Sequence, residues 1–193
     1  MWASIDTDNN VTQVYTKPTA ITYGDVNYPQ NVMSSWSNDE LATIKVYPVI
    51  QDDTNLEDPY YYDNTDPTYT FYASVTIQGT NYTNVVVQAY GTATAKPLND
   101  STDSEGFLTP GLKPKQISIA QASAYTTLEP SDWYVVRKSD NGTAIPTDWD
   151  NWRQSVRTTC ETYITNVNNC TNVTQLEALG KQPTYPPSPD ESS

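Results

Sequence analysis

The apolar residues of this chain change their period partway along. Before about residue 95 they alternate, and after about residue 115 they recur every three or four positions. Alternation places side chains on one face of a strand, whereas the longer period places them on one face of a helix, so the chain reads as two differently built parts. Tyr69, Phe71, Ala73, Val75 and Ile77 alternate with polar residues, and Val85, Val87 and Ala89 resume the pattern after Gln78-Gly-Thr-Asn81. That predicts a hairpin. Trp2 to Ile5 and Val11 to Tyr15, flanking Asp6-Thr-Asp-Asn-Asn10, predict a second one. The same turn matches the first half of a calcium loop, but Val11 stands where that loop requires glycine and Lys17 where it requires a bidentate glutamate, which argues against calcium.

Ser37 followed three residues later by Glu40 is a capping-box pattern. It predicts a short helix to about Thr43, with a strand from Ile44 to Val49. Gln51 to Pro67 is acidic and rich in Asn and Pro, as exposed loops are, and carries Tyr60-Tyr-Tyr62 at its centre. Those tyrosines read either as a contact surface or sugar platform, or as a strand edge or loop anchor. The stretch between Ala95 and Lys115 mixes Asp100, Asp103 and Glu105 with Pro and Gly. It has too little apolar surface to offset its ordering entropy and reads as a linker.

Beyond it, Ile117, Ala120, Ala124 and Leu128 form a helical stripe ended by Pro130. Trp133 to Arg137 reads as short and extended, and Ser139-Asp-Asn-Gly142 as a turn. A long helix is predicted from near Thr147, with Trp149, Trp152, Val156, Cys160, Tyr163 and Val167 on one face and Arg153 and Arg157 on a neighbouring one. A short helix over Val173–Leu179, capped by Thr171 or Asn172 and stopped by Gly180, precedes a tail of polyproline character. Such a tail docks into an aromatic groove or hangs free, and its removal is expected to leave the fold intact. The fold class is therefore α+β. A β-rich antiparallel domain (1–95) leads through a linker (96–114) to a small helical module (115–180) and a Pro/Ser tail (181–193).

Composition narrows the function. Ten basic against 23 acidic residues give a net charge of -13, which repels phosphate backbones and anionic membranes, so neither nucleic acid nor a membrane is an expected partner. Histidine is absent, which removes Ser-His-Asp and Cys-His catalysis and the commonest zinc ligand. No spaced carboxylate pair stands out from the acidic background, so a hydrolase is not expected, and neither cofactor nor metal is implied. Cys160 and Cys170, the only cysteines, are open to two readings: a bridge closing the helix end, or a buried thiol and a loop thiol. The N-terminus shows neither the basic start nor the apolar run of a secretory signal, which reads as synthesis in a cytoplasm, and the six Asn-x-Ser/Thr sequons then read as chance.

All three arginines, Arg137, Arg153 and Arg157, lie in one stretch that also holds Trp133, Trp149 and Trp152. Guanidinium and indole together combine bidentate hydrogen bonding with cation–π stacking, the chemistry of a docking surface or of a fixed internal geometry. The order Leu128, Asp132-Trp133, Pro146, Trp152-Arg153, Val156-Arg157, then Tyr185-Pro186 with Pro189, resembles the C-terminal module of bacteriophage tail-fibre assembly chaperones and related tail proteins. Tyr28-Pro29 ahead of Trp36-Ser-Asn-Asp-Glu-Leu41 is a weaker echo in the N-terminal half. The resemblance implies a non-enzymatic tail protein that binds fibre or baseplate subunits, in the host cytoplasm during assembly and in the virion tail, with self-association in the particle left open. The expected partner contacts are Trp133, Arg137, Arg153, Arg157, Tyr185, Pro186 and Pro189, with Tyr60, Tyr61 and Tyr62 as a further surface. A carbohydrate-binding adhesin using those three tyrosines, or another structural virion component, is the alternative.

Overall fold

The structure, a computed structural model, describes residues 1–190. Two compact units divide the chain after Thr94. The first contains strands β1 (Trp2–Ile5), β2 (Val11–Tyr15), β3 (Ile21–Tyr23), β4 (Val26–Tyr28), β5 (Val46–Asp52), β6 (Tyr62–Asp63), β7 (Thr68–Ile77) and β8 (Thr80–Ala89), with helices α1 (Val32–Ser35) and α2 (Asn38–Thr43). Both predicted hairpins are present. Asp6 closes the first, its carboxylate accepting from the backbone N–H of Asn10 (2.8 Å), the Asn10 side chain (3.1 Å) and the backbone N–H of Asp8 (2.9 Å). These bonds, the Asn10 backbone foremost, hold Asp6 below the usual carboxylate range. In the second, Ile77 faces Thr80 across Gln78 and Gly79, both at positive φ, which is the turn geometry that matches strand twist. The capping box also forms: the Ser37 side chain accepts from Glu40 N, and the Glu40 carboxylate accepts from Ser37 N at 2.8 Å.

The sheet order is β2-β1-β5-β8-β7. Its pairs are antiparallel except β5 with β8, which is parallel, so the β-rich antiparallel domain expected from sequence is present with that one pair departing from it. The chain leaves β5 through the loop 53–67, runs back along the outer edge as β7, and turns into β8, which lands between β7 and β5. Alternation specifies which face a residue occupies and says nothing about which strand lies beside it. One face of the sheet packs Ala3, Ile5, Tyr47 and Val86 with Val11, Val14, Tyr69 and Phe71. The other face presents Tyr15 and Val46 to Leu41 and Ile44 at α2, Val32 and Met33 of α1, and Ile21 of β3. The end strands β2 and β7 come within 8 Å of each other, so the sheet curls.

After β9 (Thr94–Ala95), the second unit opens with two short strands, β10 (Ser101–Thr102) and β11 (Leu108–Thr109), paired antiparallel. It continues with α3 (Leu112–Leu128), a 3-10 turn (Glu129–Ser131), α4 (Asp132–Asn141), α5 (Thr147–Asn169) and α6 (Val173–Ala178). The stretch assigned to a linker is closed on itself. The first free N–H groups of α3, on Leu112 and Lys113, donate to the carbonyls of Pro97 and Leu98, each at 2.9 Å. Gly111 sits so close to this crossing that a Cβ there would come 2.5 Å from the Asn99 carbonyl oxygen. Residues 112–114 belong to the helix, not to a linker.

Helices α3 and α5 form the core of this unit. Leu112, Gln116, Ala120 and Ala124 face Trp152, Val156, Cys160, Tyr163 and Val167, and Val173 and Leu176 of α6 are also buried. The α5 face is the one read from sequence from Trp152 to Val167, with Trp149 only partly buried and Arg153 buried as well. On α3 the buried line passes through Gln116 rather than Ile117, because Gln116 joins a polar knot. The Tyr163 hydroxyl donates to the Gly180 carbonyl at 2.7 Å and lies 3.2 Å from Gln116 Oε1. Cys160 and Cys170 are both free and buried. No helix among the described residues is long and apolar enough to cross a membrane.

Candidate functional site

The Trp/Arg stretch separates into an internal set and an exposed set. Trp133 to Arg137, expected to be extended, lies in α4, and so do Ser139 to Asn141, expected to form a turn. Trp, Tyr and two valines favour a strand by local propensity, but the helix is held at both ends. Arg153 Nη2 donates to Asp132 Oδ1 at 2.7 Å at its first residue. Gly142, at φ 77, closes the other end, its N–H donating to the Lys138 carbonyl. The helical spacing is visible in the contacts it makes. Arg137, one turn on from Trp133 and Tyr134, places its guanidinium carbon 4.7 Å and 5.2 Å from their ring centroids.

Arg153 is internal and is withdrawn from the expected partner contacts. It is 4 % exposed, and besides Asp132 it donates to the Leu128 carbonyl (3.1 Å) and to Ser131 Oγ. The guanidinium therefore ties α5 to the turn between α3 and α4, sharing the Leu128 carbonyl with the Ser131 hydroxyl, which donates to it at 2.7 Å. Arg157 is exposed on α5. Its charge faces solvent, and it is not gathered with Arg137.

The tail docks on its own module. The Tyr185 hydroxyl donates to the Ala120 carbonyl at 2.9 Å, and Trp152 Nε1 donates to the Pro186 carbonyl at 3.0 Å. Pro183 is buried, and Pro186 and Pro189 are partly covered. Burial, then the neighbouring Cys160, push the Tyr185 phenol above its ordinary range, against a smaller opposing effect of Ser123. A hollow of about 570 Å³ remains beside the tail, lined by Pro130, Trp149, Trp152, Tyr185 and Pro186 among others. The aromatic groove that such a tail requires is thus supplied by the same chain. The last three residues of the predicted tail, 191–193, lie outside the described residues.

The three tyrosines do not form a common surface. Tyr61 is 2 % exposed and meets Tyr60 edge-on at 4.8 Å, while Tyr60 and Tyr62 are half-buried. A flat platform needs adjacent exposed rings, so Tyr61 leaves the candidate set and takes the role of loop anchor.

What remains open is α4. It buries none of its own residues, yet Trp133 is 51 % exposed and Val136 65 %, with Val135 also exposed. Behind them runs an aromatic ladder. Trp133 stacks on Tyr134 at 4.0 Å, Tyr134 meets Trp149 at 5.3 Å, and Trp149 meets the buried Trp152 edge-on at 5.3 Å. The rings and the Arg137 stack fix the exposed indole against the module core, a contact contributing about 0.5–1 kcal/mol for the cation–π pair. Arg137 also reaches the Ala144 carbonyl at 3.3 Å. Tyr134, Val135 and Val136 were not singled out in the sequence. The signal that could have found them is the Trp-Tyr-x-x-Arg spacing, which is stereochemically productive only in a helix.

The arrangement offers apolar area and fixed donors. Among the described residues no group of three or more His, Cys, Asp or Glu could hold a metal ion. No family model, curated protein or solved structure matches the chain.

Proposed function

We propose that the chain is a non-enzymatic bacteriophage tail protein whose C-terminal unit docks a fibre or baseplate subunit through the outer face of α4. The observation that carries the docking reading is that this helix contributes nothing to its own core while displaying Trp133, Val135 and Val136. A ten-residue helix is marginal in water by itself, and exposed Trp and Val on it are disfavoured unless covered. Here Arg153, Gly142 and the ring ladder hold the helix in place, so its outer residues are presented without a folding penalty at the moment of binding. A rigid indole beside an arginine is the composition of an interface anchor. The assignment to a phage tail rests on the resemblance in the Leu128–Pro189 motif. Arg137 belongs to the docking face by its stack with Trp133, and Arg157, exposed on α5, adds a solvent-facing positive charge that steers association with this unit.

The experiment is co-elution of the purified chain with fibre and baseplate subunits encoded in the same genome, together with mass spectrometry of purified particles. A complex is expected with one of them. Replacing Trp133→Ala and Val136→Asp together should weaken it at least tenfold with the far-UV spectrum unchanged. No complex with any of these subunits, or one indifferent to both substitutions, overturns the reading.

A further inference from the structure

The chain carries -13 net charge, yet positions 67 to 95, between Asp66 and Lys96, hold no charged residue. That neutral stretch is the β7–β8 hairpin. Its register is constant from Thr68↔Ala89 to Ile77↔Thr80, but β5 pairs only with Val86 to Ala89 of β8. Residues 72–85 therefore lie beyond the β5 pairing as a two-stranded ribbon. The outer side of β7 has no paired strand among the described residues, since β7 ends the sheet order. β2 approaches that end of the sheet, and its Val11 and Val14 share a cluster with Tyr69 and Phe71, which leaves Tyr72 to Ile77 beyond it. Tyr72, Ala73, Ser74 and Thr76 are exposed.

Alternate residues of such an edge direct N–H and C=O groups away from their partner strand. Proteins usually protect an edge of this kind with a lysine, a proline, a bulge or a cover. This one has no charge, no proline and no shift of register within β7. Two features point to the occupant. Copies of so acidic a chain repel one another wherever their charged surfaces meet, so the neutral ribbon is where they approach most easily. An antiparallel strand edge is also self-complementary about a two-fold axis.

We propose that the β7 edge, over Tyr72 to Ile77, pairs antiparallel with the same edge of a second copy, joining two sheets through their neutral ribbons. The contact uses the first unit and is independent of the docking face on α4. Pairing brings facing Cβ atoms to about 4.5–5.5 Å, so an equivalent residue near the two-fold lies opposite itself.

The test is sedimentation of the full chain across the micromolar range, combined with single cysteines introduced as Tyr72→Cys, Ser74→Cys and Thr76→Cys. The parent is expected to sediment as a dimer whose dissociation constant falls as salt screens the repulsion between copies. At least one of the three variants is expected to give a disulfide-linked dimer under mild oxidation, which the buried native cysteines do not. Ser74→Lys with Thr76→Lys should raise the dissociation constant at least tenfold with the far-UV spectrum unchanged. A parent that stays monomeric at 100 micromolar overturns the proposal (roughly -5.5 kcal/mol of association at that concentration). So does a dimer that ignores both lysines and forms no cross-link at any of the three positions, which would place its interface elsewhere.

Discussion

At the scale of single residues, two arginines one turn apart on α5 have opposite roles. Arg153 meets a carbonyl, a hydroxyl and a carboxylate, while Arg157 meets solvent. Replacing Arg153→Met keeps most of the volume but takes the guanidinium donors away from the Ser131 hydroxyl and the Asp132 carboxylate, and one of the donors from the Leu128 carbonyl, which keeps the Ser131 hydroxyl. Unfolding of the C-terminal unit should become easier by about 2–3 kcal/mol, whereas Arg157→Ala should stay within about 0.5 kcal/mol. Denaturant titration of the two variants checks this, and equal effects would contradict the assignment. Tyr185 provides a pH test. Its phenol is raised above the ordinary value of 10.0 in the folded chain, so the neutral form is favoured by folding. The stabilisation is present in full below pH 10 and is lost as pH rises above it, because the unfolded phenol ionises first. The parent should therefore lose melting temperature between pH 9.5 and 11 more steeply than Tyr185→Phe. Parallel slopes would show that the hydroxyl is not held as described.

At the scale of elements, the tail behaves as a component of the helical module. Tyr185 and Pro186 cover α3 and α5 at Ala120 and Trp152, and the turn before them holds the Gly180 carbonyl against Tyr163. Truncation after Lys181 removes the Trp152 hydrogen bond and uncovers its indole. The expected result is a lower melting temperature with a red shift and loss of intensity in tryptophan emission; an unchanged spectrum would mean that the tail is not seated there. The elements most legible in the sequence were those whose signal is local. The Ser37–Glu40 capping box, the Gln78-Gly79 turn and the α5 stripe each depend on residues within a turn or two of one another. Helix α4 was misread because Trp133 to Val136 favour a strand, while the contacts that make them helical come from Arg153, some twenty residues on.

At the scale of the whole molecule, the charge balance is the dominant property. Twenty-three acidic residues against ten basic ones repel within the folded chain, and among the described residues the Arg153–Asp132 pair is internal and offsets little of that. Screening should therefore stabilise the protein, so the melting temperature at pH 7 is expected to rise between 20 mM and 500 mM sodium chloride. A fall would indicate that attractive ion pairs outweigh the repulsion. The two units show different degrees of legibility for a related reason. In the first, alternation revealed the strands and left their order open, and the parallel β5–β8 neighbourhood appears only when the chain is folded. In the second, α3, α5 and α6 were evident but α4 and the closed loop 97–111 were not, because α4 is held by Arg153 from another helix and the loop closes on the start of α3 largely through backbone bonds, with the Asp100 carboxylate accepting from Gly111 N.

The amino-acid sequence alone determined the change from strand to helix, most of the α5 apolar face, the Ser37–Glu40 cap, the Gln78-Gly79 turn and the absence of histidine chemistry, since each depends on residue type and short-range spacing. The folded chain decided which members of the Trp/Arg stretch face outward. Arg153 turned inward and Trp133 outward because burial is set by what packs against a residue, and for these two the neighbours arrive from other helices.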